Sequence, residues 1–255
     1  LVQCCVALHR ALVSLLGDAP LPLLTGRYLD GVARPANRVA IHFLDADLIG
    51  REDCPHGAFV LMAPGDASPE ELAVVTRCSR SIRDVYRRGK SAIPLAPAVD
   101  LAVDSFWPSL REGQIRYWRT VPGIVTETRR QRAGGPWTLE DAALLAVGHV
   151  FRDRLGDGPT GSARYRWIVD EVRGWGVTVR DVHPIHDSHV ERYAHKIPHG
   201  VVAQPFTARF HLAGLVPNSA LLAVGQSRHL GGGLLVPVDE YATTARDLYG
   251  WRSPC

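Results

Sequence analysis

Three consecutive glycines, Gly231 to Gly233, stand between two apolar runs in the segment GQSRHLGGGLLVP, Gly225 to Pro237. A helix does not run through such a stretch, because each glycine costs about 1 kcal/mol relative to alanine. The expected local structure is therefore a strand over Ala220 to Val224, a tight turn, and a strand over Leu234 to Val238. Glycines also let backbone N–H groups approach an anion closely, and Arg228 and His229 stand beside them. The orders G-x-G-x-x-G and Gly-Lys-Ser/Thr are missing, so this is neither a dinucleotide fingerprint nor a P-loop. A tight hairpin with glycines at positive φ is the purely structural reading of the same residues.

The rest of the chain alternates short extended and helical patterns. Leu1 to Leu16 carries a helical apolar stripe at Cys5, Leu8, Leu12 and Leu15. Arg38 to Leu44 alternates like a strand, and Ala58 to Ala63 reads as a second. Ser68-Pro69-Glu70-Glu71 is a capping box with Pro in the first turn, and the stripe after it runs through Leu72, Val75, Cys78, Ile82 and Val85 to Gly89. Leu95 to Val103 and Ile115 to Thr126 look extended. Thr138 caps a helix bearing Leu144, Val147, Phe151 and Leu155, which Gly156 ends. Val177 to Val182 and Phe206 to Leu212 are further strands, and Asp239 caps a short last helix to Leu248. Each half mixes strands with one main helix. The expected fold class is α+β, two tandem ferredoxin-like (split βαβ) domains, with the glycine-rich loop near the C-terminus. The boundaries read as a leading helix and linker over 1–22, a first domain over 23–114 and a second over 115–255.

The 255 residues, 46% of them hydrophobic and 22% charged, suffice for a real core and exclude a disordered tail protein. Apolar stretches fall short of the roughly 20 residues that span a bilayer, so no membrane partner is expected. Leu1 to Leu16 lacks the basic start and cleavage site of a secretory signal. Five cysteines without a C-x-x-C pair suggest neither a disulfide framework nor a cysteine zinc site, which points to a reducing, cytoplasmic compartment. Net charge is only +3, but Lys90 and Lys196 are the sole lysines among 29 Lys and Arg. Guanidinium forks suit phosphates and stack on bases, although a GC-rich genome writes the same bias. The start at Leu1, without an initiator Met, suits a piece of a longer polypeptide.

Four segments carry a resemblance: LTGRYLDGVARPANRVAIHFL from Leu24, PHGAFVLMAPGDASPEELAVV from Pro55, RYWRTVPGIVTETRRQR from Arg116, and the run from Phe206 through the glycines. In this order and spacing the chain resembles the repeat-associated (RAMP) superfamily of CRISPR proteins. Within it the chain is similar to the repeat-endoribonuclease half of the fused backbone-and-processing subunit of type I-G (formerly I-U) effector complexes. The resemblance implies a glycine-rich loop that contacts RNA, the repeat hairpin of guide RNA as ligand, and the other subunits of the complex as partners. It further implies precursor cleavage without a metal or other cofactor, through 2′-OH attack, leaving a 2′,3′-cyclic phosphate and a 5′-OH.

Such a reaction needs only proton transfer and cationic stabilisation of the phosphorane, for which histidine is suited. His42 and His56 are the first-half candidates, while Asn37 and Val39 occupy positions where relatives commonly carry His. Arg27, Arg38, Arg129, Arg130, Arg132, Gly225, Arg228, His229, Gly231, Gly232 and Gly233 are the expected RNA-binding set. Arg77, Arg80, Arg83, Arg87 and Arg88 would line one flank of the first-half helix, and Trp107, Trp118 and Trp137 could stack bases. His183, His186 and His189, followed by His195 and His199, have metal-ligand chemistry. Their i, i+3, i+6 spacing does not gather on one face of a strand, so no metal is expected there. Two alternatives to the nuclease are a non-catalytic RNA-binding structural subunit and, more remotely, a metal hydrolase built on His183 to His199.

Overall fold

The structure is a computed structural model that describes residues 2–17, 21–30, 32, 34–87, 89–128, 136–187, 189–197 and 203–242. The first half contains α1 (Val2–Leu15), a one-turn α2 (Pro22–Thr25), β1 (Ala40–Leu44), a one-turn α3 (Ala46–Ile49), β2 (Ala58–Met62), α4 (Pro69–Ser81), β3 (Asp84–Val85) and β4 (Ile93–Pro94). The second contains β5 (Gln114–Val121), β6 (Ile124–Val125), α5 (Leu139–Val150), α6 (Ala163–Gly174), β7 (Thr178–Pro184), β8 (Pro205–His211) and β9 (Leu234–Tyr241).

The second half is built on a single antiparallel sheet. Its centre is β5, which pairs β9 along its whole length, from Gln114 opposite Tyr241 to Val121 opposite Leu234. On its other side β5 meets β8 at Trp118 and Phe210, and β7 lines the far edge of β8. The order β7-β8-β5-β9 leaves β8 in the gap between β5 and β7, the arrangement of a split βαβ unit. Two helices fill its first crossover. In place of a second crossover helix runs an irregular segment from Leu212 to Gly233, and the strand expected over Ala220 to Val224 is a single bridge, Ala223 to Leu234.

The first half differs from the expected second copy of that unit. Among the described residues it holds two separate two-stranded ladders, β1 with β2 and β3 with β4. Pro94 at the end of β4 and Pro97 just after it lack N–H donors, and no long strand forms over 95–103. The helix expected to reach Gly89 stops at Ser81. The Ser79 and Ser81 hydroxyls bond back to the Thr76 and Arg77 carbonyls, and Ile82 turns to an extended backbone. Hence Arg83 and Arg87 are not on the helix with Arg77 and Arg80, and Arg88 lies outside the described residues. Arg80 pairs with Asp100, Arg83 with the Arg80 carbonyl, and Arg87 with the Cys4 sulfur.

Both expected N-caps are present. Ser68 and Glu71 exchange bonds at α4, and Thr138 with Asp141 do so at α5. The first core gathers Cys5, Leu8 and Leu12 of α1 with Leu23, Leu24, Val39, Ile41, Val75 and Cys78. The second packs α5 and α6 on Trp118, Phe206 and Phe210, and admits Leu44, Val60 and Met62 from the β1–β2 hairpin. Residues Asp239 to Tyr241 extend β9 instead of opening a last helix, whose remainder lies outside the described residues.

Candidate nucleic-acid interface

The glycine segment is wedged between the two halves. The Ile41 N–H of β1 donates to the His229 carbonyl at 3.0 Å, and Ile41 bridges Leu230 in parallel. The Ser227 carbonyl accepts from Leu230 and Gly232 at 2.8 and 3.0 Å, which closes the turn. Gly225, Gly231, Gly232 and Gly233 are all buried. A Cβ on Gly231 would stand 2.8 Å from the Cys5 sulfur, and one on Gly233 2.0 Å from the Val224 carbonyl oxygen. The four glycines therefore serve close packing of the chain against itself. Expected as a cradle for RNA, they present no open surface to it.

What the turn does present is Arg228 and His229, beside a cleft of about 400 Å³. Beside it runs the 34–40 segment, docked on the C-terminus of α5. There the Asn37 amide donates to the Val150 carbonyl at 3.0 Å, and the Arg152 guanidinium reaches the Arg34 and Pro35 carbonyls. These bonds satisfy helix-end and strand-entry carbonyls at once. Arg38, Arg154, Arg228 and His229 line the cleft, as do Asn37, Asp66 and Asp153.

The guanidinia differ in their partners. Arg228 donates to Glu127 at 2.7 Å, and Glu127 also receives His149. Burial lowers the Arg228 pKa to about 10, which still leaves a full charge at neutral pH. Arg38 donates to the Thr25 carbonyl at 2.8 Å, and among the described residues no carboxylate pairs with it; burial and the neighbouring Arg228 lower its pKa. Arg154 lies over the Phe151 ring at 5.5 Å. Two buried atoms in this wall, Arg228 Nε and His229 Nδ1, have no hydrogen-bond partner. His229 is held neutral, its pKa pushed down to about 3, first by burial and then by Arg228, Arg38 and His42; a bond to the Arg38 backbone opposes the shift.

The proposed acid–base pair does not assemble. His42 is 1% exposed and is bonded through Nε2 to the Arg228 carbonyl at 2.8 Å; burial lowers its pKa to about 4. It props the glycine turn and reaches no substrate. His56 lies exposed in the turn before β2. With His42 opposite Val60, the register puts His56 four residues further along that chain, on the order of 10 Å away.

Arg27 is exposed and stands apart from the cleft lining, and Arg129, Arg130 and Arg132 lie outside the described residues. Trp107 and Trp118 are buried packing residues, while Arg166 covers the half-buried Trp137 at 5.1 Å. The histidine series disperses: His183 is in β7, His189 bonds Glu191, and His195 bonds the Ser227 hydroxyl. His199 lies outside the described residues. Among the described residues no three His, Cys, Asp or Glu are grouped to hold a metal ion, and no helix is long and apolar enough to cross a membrane. Glu127, His149 and Arg154 belong to the site without any local motif to mark them. Asn37 was marked only as a departure from relatives.

No family model matches the sequence, and no curated protein matches it. A solved structure described as "An RAMP protein binding different RNA substrates" aligns over 93% of this chain and 92% of that one, at 6% identity and a TM-score of 0.44.

Proposed function

We propose that this chain is an RNA-binding protein of the RAMP type that holds the repeat hairpin of a guide RNA within a type I-G CRISPR effector complex. The backbone of the RNA would lie in the cleft that Arg38, Arg154 and the Arg228–His229 turn line. The observation that carries this reading is the cleft wall itself. Arg38 and Arg154 both line the cleft, and among the described residues neither is paired with a carboxylate. Guanidinia free of carboxylates suit phosphate oxygens, which accept charge-assisted hydrogen bonds from them. The ordered sequence resemblance supplies the ligand class. Holding the RNA, rather than cutting it with His42 and His56, is the reading that suits the burial of His42.

The test is fluorescence anisotropy with a labelled stem-loop RNA bearing single-stranded flanks. Saturable binding should weaken steeply between about 50 and 200 mM salt. Arg38→Ala and Arg154→Ala should each weaken binding and reduce the logarithmic salt slope by about one. Absence of saturable binding at the lower salt would refute the proposal. Incubation of the same RNA in EDTA should leave it intact, and a cyclic-phosphate product would restore the nuclease reading.

A further inference from the structure

We infer that the cleft seats the base of one unpaired nucleotide, so that the chain engages the single strand flanking a stem through this cleft and not the stem itself. The inference rests on the RNA-binding reading above and names the part of the RNA that enters. Its basis is the division of the cleft lining. The arginines supply the charge that a phosphate needs, yet more than half of the lining residues are apolar. Among these, Met62, Phe151, Leu221 and Leu222 are only partly buried where they pack on the second core. A phosphate backbone has no use for such a surface. A base does, because every base carries a flat π-face. A duplex cannot supply one, since its bases are stacked inward and it shows phosphates, 2′-hydroxyls and groove edges. An unpaired nucleotide offers both chemistries in one unit, an anion and a flat ring.

Two details of the lining agree. The Arg154 guanidinium lies over the Phe151 ring at 5.5 Å, and both residues line the cleft. A guanidinium donates in its plane and stacks with its faces, so Arg154 can hold a phosphate oxygen at its edge and a base on its face. Asp66 and Asp153 line the cleft as well. A carboxylate repels a phosphate, but it accepts hydrogen bonds from the N–H groups on a base edge. A cleft of about 400 Å³ is at the small end of the range for ligand pockets, so it seats one base and not a run of them.

The experiment is an abasic scan on the native chain. Stem-loop RNAs with single-stranded flanks, each lacking the base of one flanking nucleotide but keeping its ribose and phosphate, are compared with the intact parent by competition anisotropy. A blunt stem-loop without flanks is measured beside them. One flank position should lose about fivefold to a hundredfold in affinity, the worth of stacking one base, and the others little. The blunt stem-loop should fall at least as far. In Arg154→Lys, which keeps the charge and loses the planar face, the gap between the parent and the sensitive abasic RNA should narrow. It should narrow also in Met62→Gln, which makes the apolar part of the seat polar. Wild-type binding with no sensitive position, or a blunt stem-loop that binds as tightly as the parent, overturns the inference and leaves the RNA reading standing. So does a gap unchanged in both folded variants. Failure of all RNAs to bind overturns the underlying reading instead. The nucleoside monophosphates form a control arm: competition at the concentrations where the RNA competes would show a nucleotide pocket and overturn the strand as occupant.

Discussion

Gly233 holds φ at +62°, and a side chain there would run into the Val224 carbonyl 2.0 Å away. Gly233→Ala combines a left-handed backbone with a backbone clash, and should destabilise by about 2–4 kcal/mol in chemical denaturation. Gly65, which meets nothing within 4 Å and has no positive φ, is the control, and Gly65→Ala should change little. The buried histidines give a second prediction, with a definite sign. His42 and His229 titrate at about 4 and about 3 when folded and near 6.5 when unfolded, so below pH 6.5 the unfolded chain binds more protons. Their contribution is intact above pH 7 and is lost as pH falls from about 6.5 towards 4, by about 3 kcal/mol for the fully buried His42. Denaturation midpoints from pH 7.5 to 5 measure it, and His42→Gln should flatten the slope. Were the slope unchanged in that variant, His42 would not be the titrating group.

Helix α6 is tied to α5 through one carboxylate. Asp141 accepts from the N–H of the cap residue Thr138, and Arg173 and Arg166 of α6 reach it at 2.6 and 3.2 Å. Burial would raise its pKa, but the Thr138 backbone and Arg173 together hold it below the usual carboxylate value. Asp141→Asn should therefore cost about 2 kcal/mol, more than the cap alone, and thermal unfolding can read it. Legibility at this scale followed local chemistry. Ser68 and Thr138 announced their helices because cap and N3 residues are three apart in sequence. Helix α6 went unread although Tyr165, Ile168, Val169 and Val172 have helical spacing. Its Ser162 makes no side-chain cap bond, and glycines at 156, 158 and 161 obscure its start. The glycine segment correctly marked a tight reversal, and with it Arg228 and His229. Their partners Glu127, Ile41 and His42 come from distant parts of the chain, and no local pattern encodes such meetings.

At the scale of the molecule the two halves share structure: the β1–β2 hairpin enters the second core, and β1 is hydrogen-bonded to the glycine segment. They should unfold together. Cys5 and Cys78 are buried in the first core, while Trp118 is buried in the second, so two independent probes exist. In a Cys4→Ser, Cys54→Ser, Cys255→Ser background, thiol exposure and tryptophan emission should change at the same urea concentration. Two separated midpoints would mean autonomous halves. The contact between Gly231 and Cys5 adds a mechanical corollary. Burial raises the Cys5 thiol pKa to about 12, so in the folded chain it is unreactive. An alkyl group attached to that sulfur during transient opening would occupy the space the turn needs on closing. Refolding would then stall with the wedge in place, and a reagent acting on α1 would disable a cleft that it never touches.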